Sequence, residues 1–204
     1  MTFRTGTSRI ATLFLIVAFV FIQSTPVAAA TINGGSGDDS LTGTTGDDTI
    51  RGNDGDDTIE GLAGDDDING NKGEDDIYAR SGDDLVHGGK DDDVVRGNNG
   101  NDDVYGDLGD DIVRGGNGDD NVYGGEGDDS VSGGNGDDTV YGDEGDDWVG
   151  GGLGDDTIDG GDGDDTVGYG YSTTTLDIDL RNGTASSSVE NDTINNVENV
   201  NAGN

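Results

Sequence analysis

Aspartate returns at every ninth residue through the middle of this chain: Asp39, Asp48, Asp57, Asp66, Asp75, Asp84, Asp93, Asp102, Asp111, Asp120, Asp129, Asp138, Asp147, Asp156 and Asp165. The residue before each is also acidic, except where it is Asn101. A carboxylate at one fixed place in every period is a repeated site. Its chemistry is the binding of hard cations, which take oxygen donors.

The elements that must position these carboxylates follow from the same period. Fifteen nine-residue units run without a gap from Gly34 to Gly168. The first place is Gly in all but one unit, where it is Ala79, and the fourth is Gly in all but one, where it is Asp91. The sixth is Asp throughout, and the eighth is Leu41, then Ile or Val to Val167. A fixed short period is the signature of a solenoid. Glycine at two fixed places implies positive φ or close backbone approach. A lone aliphatic residue between variable neighbours reads as a short strand with one side chain inward. Each unit is therefore expected to be a turn of about six residues followed by a strand of about three. Two units make a coil of eighteen, with strands on two faces and turns along two edges. Like strands stack at roughly 4.8 Å.

These residues resemble the RTX family, whose glycine- and aspartate-rich nonapeptide reads Gly-Gly-x-Gly-x-Asp-x-aliphatic-x. The unit from Gly115 to Tyr123 matches it in full, and the resemblance covers about two-thirds of the chain. It implies an all-β fold, a right-handed parallel β-roll solenoid, closed by a short C-terminal β cap. It implies calcium as the cofactor, held between successive turns by the sixth-place aspartates and backbone carbonyls. The fifteen aspartates above are then the metal ligands. Asp91 departs from the pattern, so its turn is expected to be distorted.

Composition agrees. The chain carries a formal net charge of −37. After residue 30 there are 7 basic and 46 acidic residues, which gives −39. That part has no Cys, Met, Pro or Phe, and one Trp. One buried aliphatic residue per nine ordered residues is too little to offset the conformational entropy of folding. Stacked carboxylates about 4.8 Å apart add repulsion of roughly 1 kcal/mol per pair in water. The array alone reads as disordered, and a divalent cation between turns reverses the sign of the repulsion. Eight turns on one edge and seven on the other leave thirteen gaps. Thirteen Ca²⁺ would bring +26 against −39 and leave −13. Metal binding and folding are thus expected to be one event. A merely disordered acidic chain is the plainer reading, and the unbroken register argues against it.

Arg4 and Arg9 precede an apolar run from Ile10 to Ile22, and Val27-Ala28-Ala29-Ala30 follows. This is expected to be a secretory signal peptide cleaved after Ala30. A membrane anchor is the competing reading, and a run of thirteen is short of the roughly 20 needed to span. The expected domains are the signal peptide at 1–30, the repeat array at 31–168 and a capping segment at 169–204. Ile32 lies nine residues before Leu41 and is in phase for an initial strand. In the cap, Leu176-Asp177-Ile178-Asp179-Leu180 alternates as a half-buried strand does, and Asn182-Gly183 marks a turn. The segment from Asn191 to Val200 resembles the closing segment of RTX arrays. It stops part-way through a turn, as an incomplete cap or a truncated gene would.

Outward places eighteen residues apart should form columns: Tyr105, Tyr123 and Tyr141 with His87, and opposite them Arg96 with Arg114 and Val94 with Ile112. The tyrosines could bind sugar rings, or simply stack to stabilise the sheet. The lone His87 is expected to be solvated. No His-Glu-x-x-His or Gly-x-Ser-x-Gly occurs, so neither zincin nor hydrolase chemistry is indicated. No window fits an EF-hand. The charge repels nucleic acid. The expected protein is non-catalytic: a secreted, extracellular calcium-binding β-roll with a structural, surface or matrix role. The alternatives are a polysaccharide-binding module, an accessory array of a lost or separate secreted enzyme, and an ice-binding surface. The last needs a row of Thr and Asn that the third places lack.

Overall fold

A computed structural model describes residues 28–169, 177–187 and 191–201. The expected signal peptide falls on residues 1–30, of which 1–27 lie outside the described residues. No helix among the described residues is long and apolar enough to cross a membrane.

The described chain is built of strands, from β1 (Thr31–Asn33) to β20 (Asn199–Asn201). Alternate strands go to alternate sheets. One sheet gathers β1 and the odd-numbered strands to β15 (Thr157–Asp162), followed by β19 (Asn191–Asn195), β18 (Thr184–Ser186) and β17 (Asp177–Asp179). The other gathers the even-numbered strands from β2 (Ser40–Thr42) to β16 (Thr166–Gly168), followed by β20. All pairings within the repeats are parallel, with partners eighteen residues apart. The chain is therefore a parallel β-roll of two units per coil. β1 pairs with β3 (Thr49–Asp54) through Ile32 and Ile50, so the in-phase tripeptide does start the roll.

The strands are longer than the sequence suggests. β10 (Ile112–Asn117) and β11 (Asn121–Glu126) each span six residues, covering places seven to nine and one to three. Only places four to six remain as turn. The first three places pair because their backbone meets an identical backbone one coil away. Gly116 aligns with Gly134 and Asn117 with Asn135, while the first-place glycine between the two paired runs is skipped.

The skip marks a bend with a conformational cause. The second place has positive φ in every unit from Asn53 (86°) to Gly161 (109°). Asn and Asp tolerate this region, and they or Gly fill most of these places. Leu62 (85°) and Arg80 (90°) do not belong there by type. The fourth place is also positive, from Gly55 (120°) to Gly154 (141°), and Asp91 follows at 73°. The Asp91 turn keeps the coil but changes one bond. Gly64 and Gly82 donate to the carbonyls of Ser81 and Asn99 one coil on, at 2.9 and 3.0 Å. Gly73 donates instead to Oδ2 of Asp91 at 3.3 Å. The pairing of β5 (Asp67–Lys72) with β7 (Leu85–Lys90) accordingly stops at Asn69 and His87.

The eighth places from Ile50 to Val167 have no exposed surface and form one core cluster, with Leu41 and Ile32 partly buried against it. The cap extends both sheets. β17 (Asp177–Asp179), β18 (Thr184–Ser186) and β19 (Asn191–Asn195) form an antiparallel meander, and Gly183 turns between the first two at a φ of 65°. β19 then adds parallel to β15, aligning Ile194 with Ile158. β20 adds to β16 (Thr166–Gly168), aligning Val200 with Val167.

Candidate metal centres along the turn edges

The roll separates the sixth-place aspartates into two columns. Asp39, Asp57, Asp75, Asp93, Asp111, Asp129, Asp147 and Asp165 follow one another on one edge. Asp48, Asp66, Asp84, Asp102, Asp120, Asp138 and Asp156 follow on the other. Each column is tied by one repeated bond: Oδ1 of each aspartate accepts the N–H of the aspartate one coil before. The distances are 2.7 Å for Asp39 to Asp57, 2.8 Å for Asp102 to Asp120 and 2.9 Å for Asp147 to Asp165. The fifth-place carboxylates run the opposite way. Oδ1 of Asp110 accepts the N–H of Asp128, one coil after it, at 3.0 Å. These fifth-place side chains stay exposed, whereas the sixth-place ones from Asp48 on are buried.

Burial leaves half of each inner carboxylate unmatched. At Asp57, at every ninth residue to Asp147 and again at Asp165, Oδ2 is buried with no hydrogen-bond partner. A buried unpaired carboxylate oxygen is costly. The first two units differ. Gly35 N–H reaches Oδ2 of Asp39, and Thr44 N–H reaches Oδ2 of Asp48, both at 2.5 Å. Their second places lack the positive φ that every later unit has.

The pKa values follow burial. Desolvation pushes Asp93 and Asp138 up to about 8, against the pull of the N–H bonds to Oδ1, and neighbouring carboxylates add to the rise. The same causes take Asp84, Asp102, Asp129 and Asp147 to about 7, and Asp66, Asp75, Asp111 and Asp120 to about 6. Burial also pushes Asp48 up, but bonds from Thr44 and Ala30 outweigh it and hold the group below its ordinary value.

The unmatched oxygen and a carbonyl both crowd the first-place glycine. A β-carbon placed on Gly88 would lie 2.6 Å from Oδ2 of Asp93 and 2.7 Å from the carbonyl oxygen of Gly106, one coil on. The same pair recurs at Gly61, with Asp66 and Ala79, and at Gly124, with Asp129 and Gly142. First-place glycine is thus favoured by close approach and not by φ, and Ala79 is the one first place that carries a β-carbon. No three His, Cys, Asp or Glu side chains gather as a metal cluster among the described residues. Each turn from Asp48 on offers one buried carboxylate, and main-chain carbonyls lie beside it. Such an all-oxygen set, repeated in a bendable turn, fits calcium, which accepts six to eight oxygens in flexible geometry.

On the outer faces, His87, Tyr105, Tyr123 and Tyr141 stack nearly parallel, with centroids 4.6, 4.6 and 4.9 Å apart. The inner rings spend both faces on each other, which leaves edges and hydroxyls outward. Such stacking stabilises the sheet across its strands. His87 is half-buried rather than solvated, with Nδ1 2.9 Å from Oδ2 of Asp107. On the opposite face Arg96 aligns with Arg114. The Arg96 guanidinium lies over the Tyr78 ring at 4.5 Å and donates to Asp76 at 2.6 Å.

Sequence reasoning missed the second-place φ, because Leu62 and Arg80 hide it. The choice among Asn, Asp and Gly at the other second places from Asn53 on was the available signal.

A family model described as RTX calcium-binding nonapeptide repeat (4 copies) matches residues 33–68, 42–77, 51–86, 78–113, 114–149 and 141–170. No curated protein matches the chain.

Proposed function

Because the chain belongs to the RTX calcium-binding nonapeptide-repeat family, we propose that it is a secreted protein whose calcium-binding β-roll forms only as its turns fill with metal. Its role is structural, at a cell surface or in an extracellular matrix, and non-catalytic. The observation that carries this reading is the buried Oδ2 without a partner, repeated from Asp57 to Asp147. Bound calcium supplies the positive charge and open coordination that these oxygens lack.

The chain's own residues do the rest. Oδ1 ties each turn to the one before it. Oδ2 and the first-place carbonyl hold donors toward the next turn. The fourth-place glycines let the turns nest at strand spacing. Secretion rests on the basic, apolar and small-residue order of residues 1–30, with cleavage after Ala30. Outside the cell, free calcium is plentiful enough to fold the array. Ions between turns number up to about thirteen by the count of gaps between repeats. The ligands are the fifteen sixth-place aspartates.

Circular dichroism of residues 31–204 tests the reading. Coil is expected in chelator, and β-structure above a calcium threshold. The rise should be steep, since adjacent turns share ions and coils support each other. Magnesium should substitute poorly, because it demands near-octahedral geometry. Equal β-content with and without calcium would overturn coupled folding.

A further inference from the structure

The cap carries no nonapeptide, yet it reproduces the repeat's geometry. β19 aligns Thr193, Ile194 and Asn195 with Thr157, Ile158 and Asp159, which are places seven to nine. Asn196 therefore stands at a first place, opposite Gly160. β20 aligns Asn199 with Thr166, so Glu198 stands at a sixth place, opposite Asp165. A full unit puts six residues from first to sixth place, and here Asn196-Val197-Glu198 spans the same interval with three.

The contacts repeat as well. Asp165 N–H donates to Oε2 of Glu198 at 3.0 Å, as Asp147 N–H donates to Oδ1 of Asp165 at 2.9 Å. The longer glutamate side chain offsets the shorter turn. Asn199 N–H donates to the Asp165 carbonyl at 2.9 Å, as Thr166 N–H does to that of Asp147 at 2.8 Å. A β-carbon on Gly160 would meet Oδ2 of Asp165 and the carbonyl oxygen of Asn196, as one on Gly142 would meet Asp147 and the carbonyl of Gly160. Asp165 has no exposed surface, and its Oδ2 has no hydrogen-bond partner. That oxygen points toward the cap just as its counterparts point toward the next repeat.

We propose that the cap completes one more calcium site, in which the Asn196 carbonyl and the Glu198 carboxylate join Asp165 in the gap beyond the last repeat. This site is additional to the thirteen gaps between repeats. It rests on calcium binding by the array. It makes Glu198 a metal ligand and not only an acceptor for the Asp165 amide. Ligation here ties the cap to the array, so the last coil closes only when its ion is present.

Native mass spectrometry of the protein at saturating calcium tests the assignment. Glu198→Gln keeps an oxygen able to accept from Asp165 N–H but removes the charge. It is expected to hold one calcium fewer than the unsubstituted protein, while Glu126→Gln, on an exposed third place, holds the same number. An unchanged count for Glu198→Gln overturns the extra site and leaves calcium binding by the repeats standing. Absence of calcium from every variant overturns the calcium reading and this site with it. Should Glu198→Gln unravel the cap, the unsubstituted protein answers directly. Substoichiometric Gd³⁺ should broaden the carboxyl carbon signals of Glu198 and Asp165 together. A sharp Glu198 signal beside a broadened Asp165 signal overturns the proposal.

Discussion

Thr44 N–H donates to Oδ2 of Asp48 at 2.5 Å, and that bond is possible because Thr44 lacks positive φ. One coil on, Leu62 holds the same place at a φ of 85°, and Oδ2 of Asp66 is buried without a partner. The second-place backbone decides whether the turn satisfies its own carboxylate or leaves it for a cation. In the first coil, with no repeat before it, the turn satisfies itself. In the following coils the nested backbone holds the second place in the left-handed region.

Relief of that strain should be measurable. A non-glycine residue at positive φ costs roughly 1–2 kcal/mol. Leu62→Gly is therefore expected to stabilise the calcium-loaded roll by about 1 kcal/mol in urea unfolding. Gly134→Val should do the opposite by about 1–3 kcal/mol or more, since φ there is 126° and a β-carbon would strike the Gly116 carbonyl.

The two oxygens of an inner aspartate can be separated by substitution. Asp120→Asn keeps an acceptor for the Asp102 amide and removes the charge, so its expected effect is a higher calcium midpoint. Asp120→Ala also orphans the buried N–H of Asp102, which now donates at 2.8 Å. It should cost a further 1–3 kcal/mol or so in saturating calcium. Urea unfolding of the two variants at high calcium checks the difference. Equal stabilities would contradict it.

Acid should stand in part for calcium. Inner aspartates have folded pKa values raised from 3.8 to between about 6 and about 8, chiefly by burial. The roll then binds more protons than the unfolded chain between those limits, so its stability falls as pH rises. The penalty is absent below the unfolded value and complete above about pH 8. In calcium-free buffer, β-structure by circular dichroism should therefore be greater at pH 5 than at pH 8. A signal that grows with pH would refute the assignment.

The tyrosine column gives a graded stability prediction. Tyr123 stacks on both neighbours and Tyr141 on Tyr123 alone among the rings. At roughly 0.5–1.5 kcal/mol per stacked pair, Tyr123→Ala should cost about twice the stacking loss of Tyr141→Ala. Thermal unfolding in calcium checks the ratio.

Much of this was legible in the sequence, since every coil repeats the same local physics. The period fixed the two columns of aspartates, the in-line core from Ile50 to Val167 and the partners eighteen apart. Ile32 announced the first strand by phase alone. The Asp91 turn was expected to be distorted, and it is, at the Gly73 amide. The three-residue strands were wrong because sequence periodicity marks side-chain burial, and places one to three pair through backbone with little side chain to betray it.

What the sequence determined alone is the repeat, its carboxylates and the hard-cation chemistry, because those follow from residue type and spacing. Only the tertiary structure decided which oxygen of each aspartate is committed to the coil before and which is left over. It alone brought Asn196 and Glu198 into the places of a glycine and an aspartate. Neither fits the motif, and the three-residue contraction breaks the period. Their equivalence lies in backbone register across a sheet, which arises only when distant segments pair.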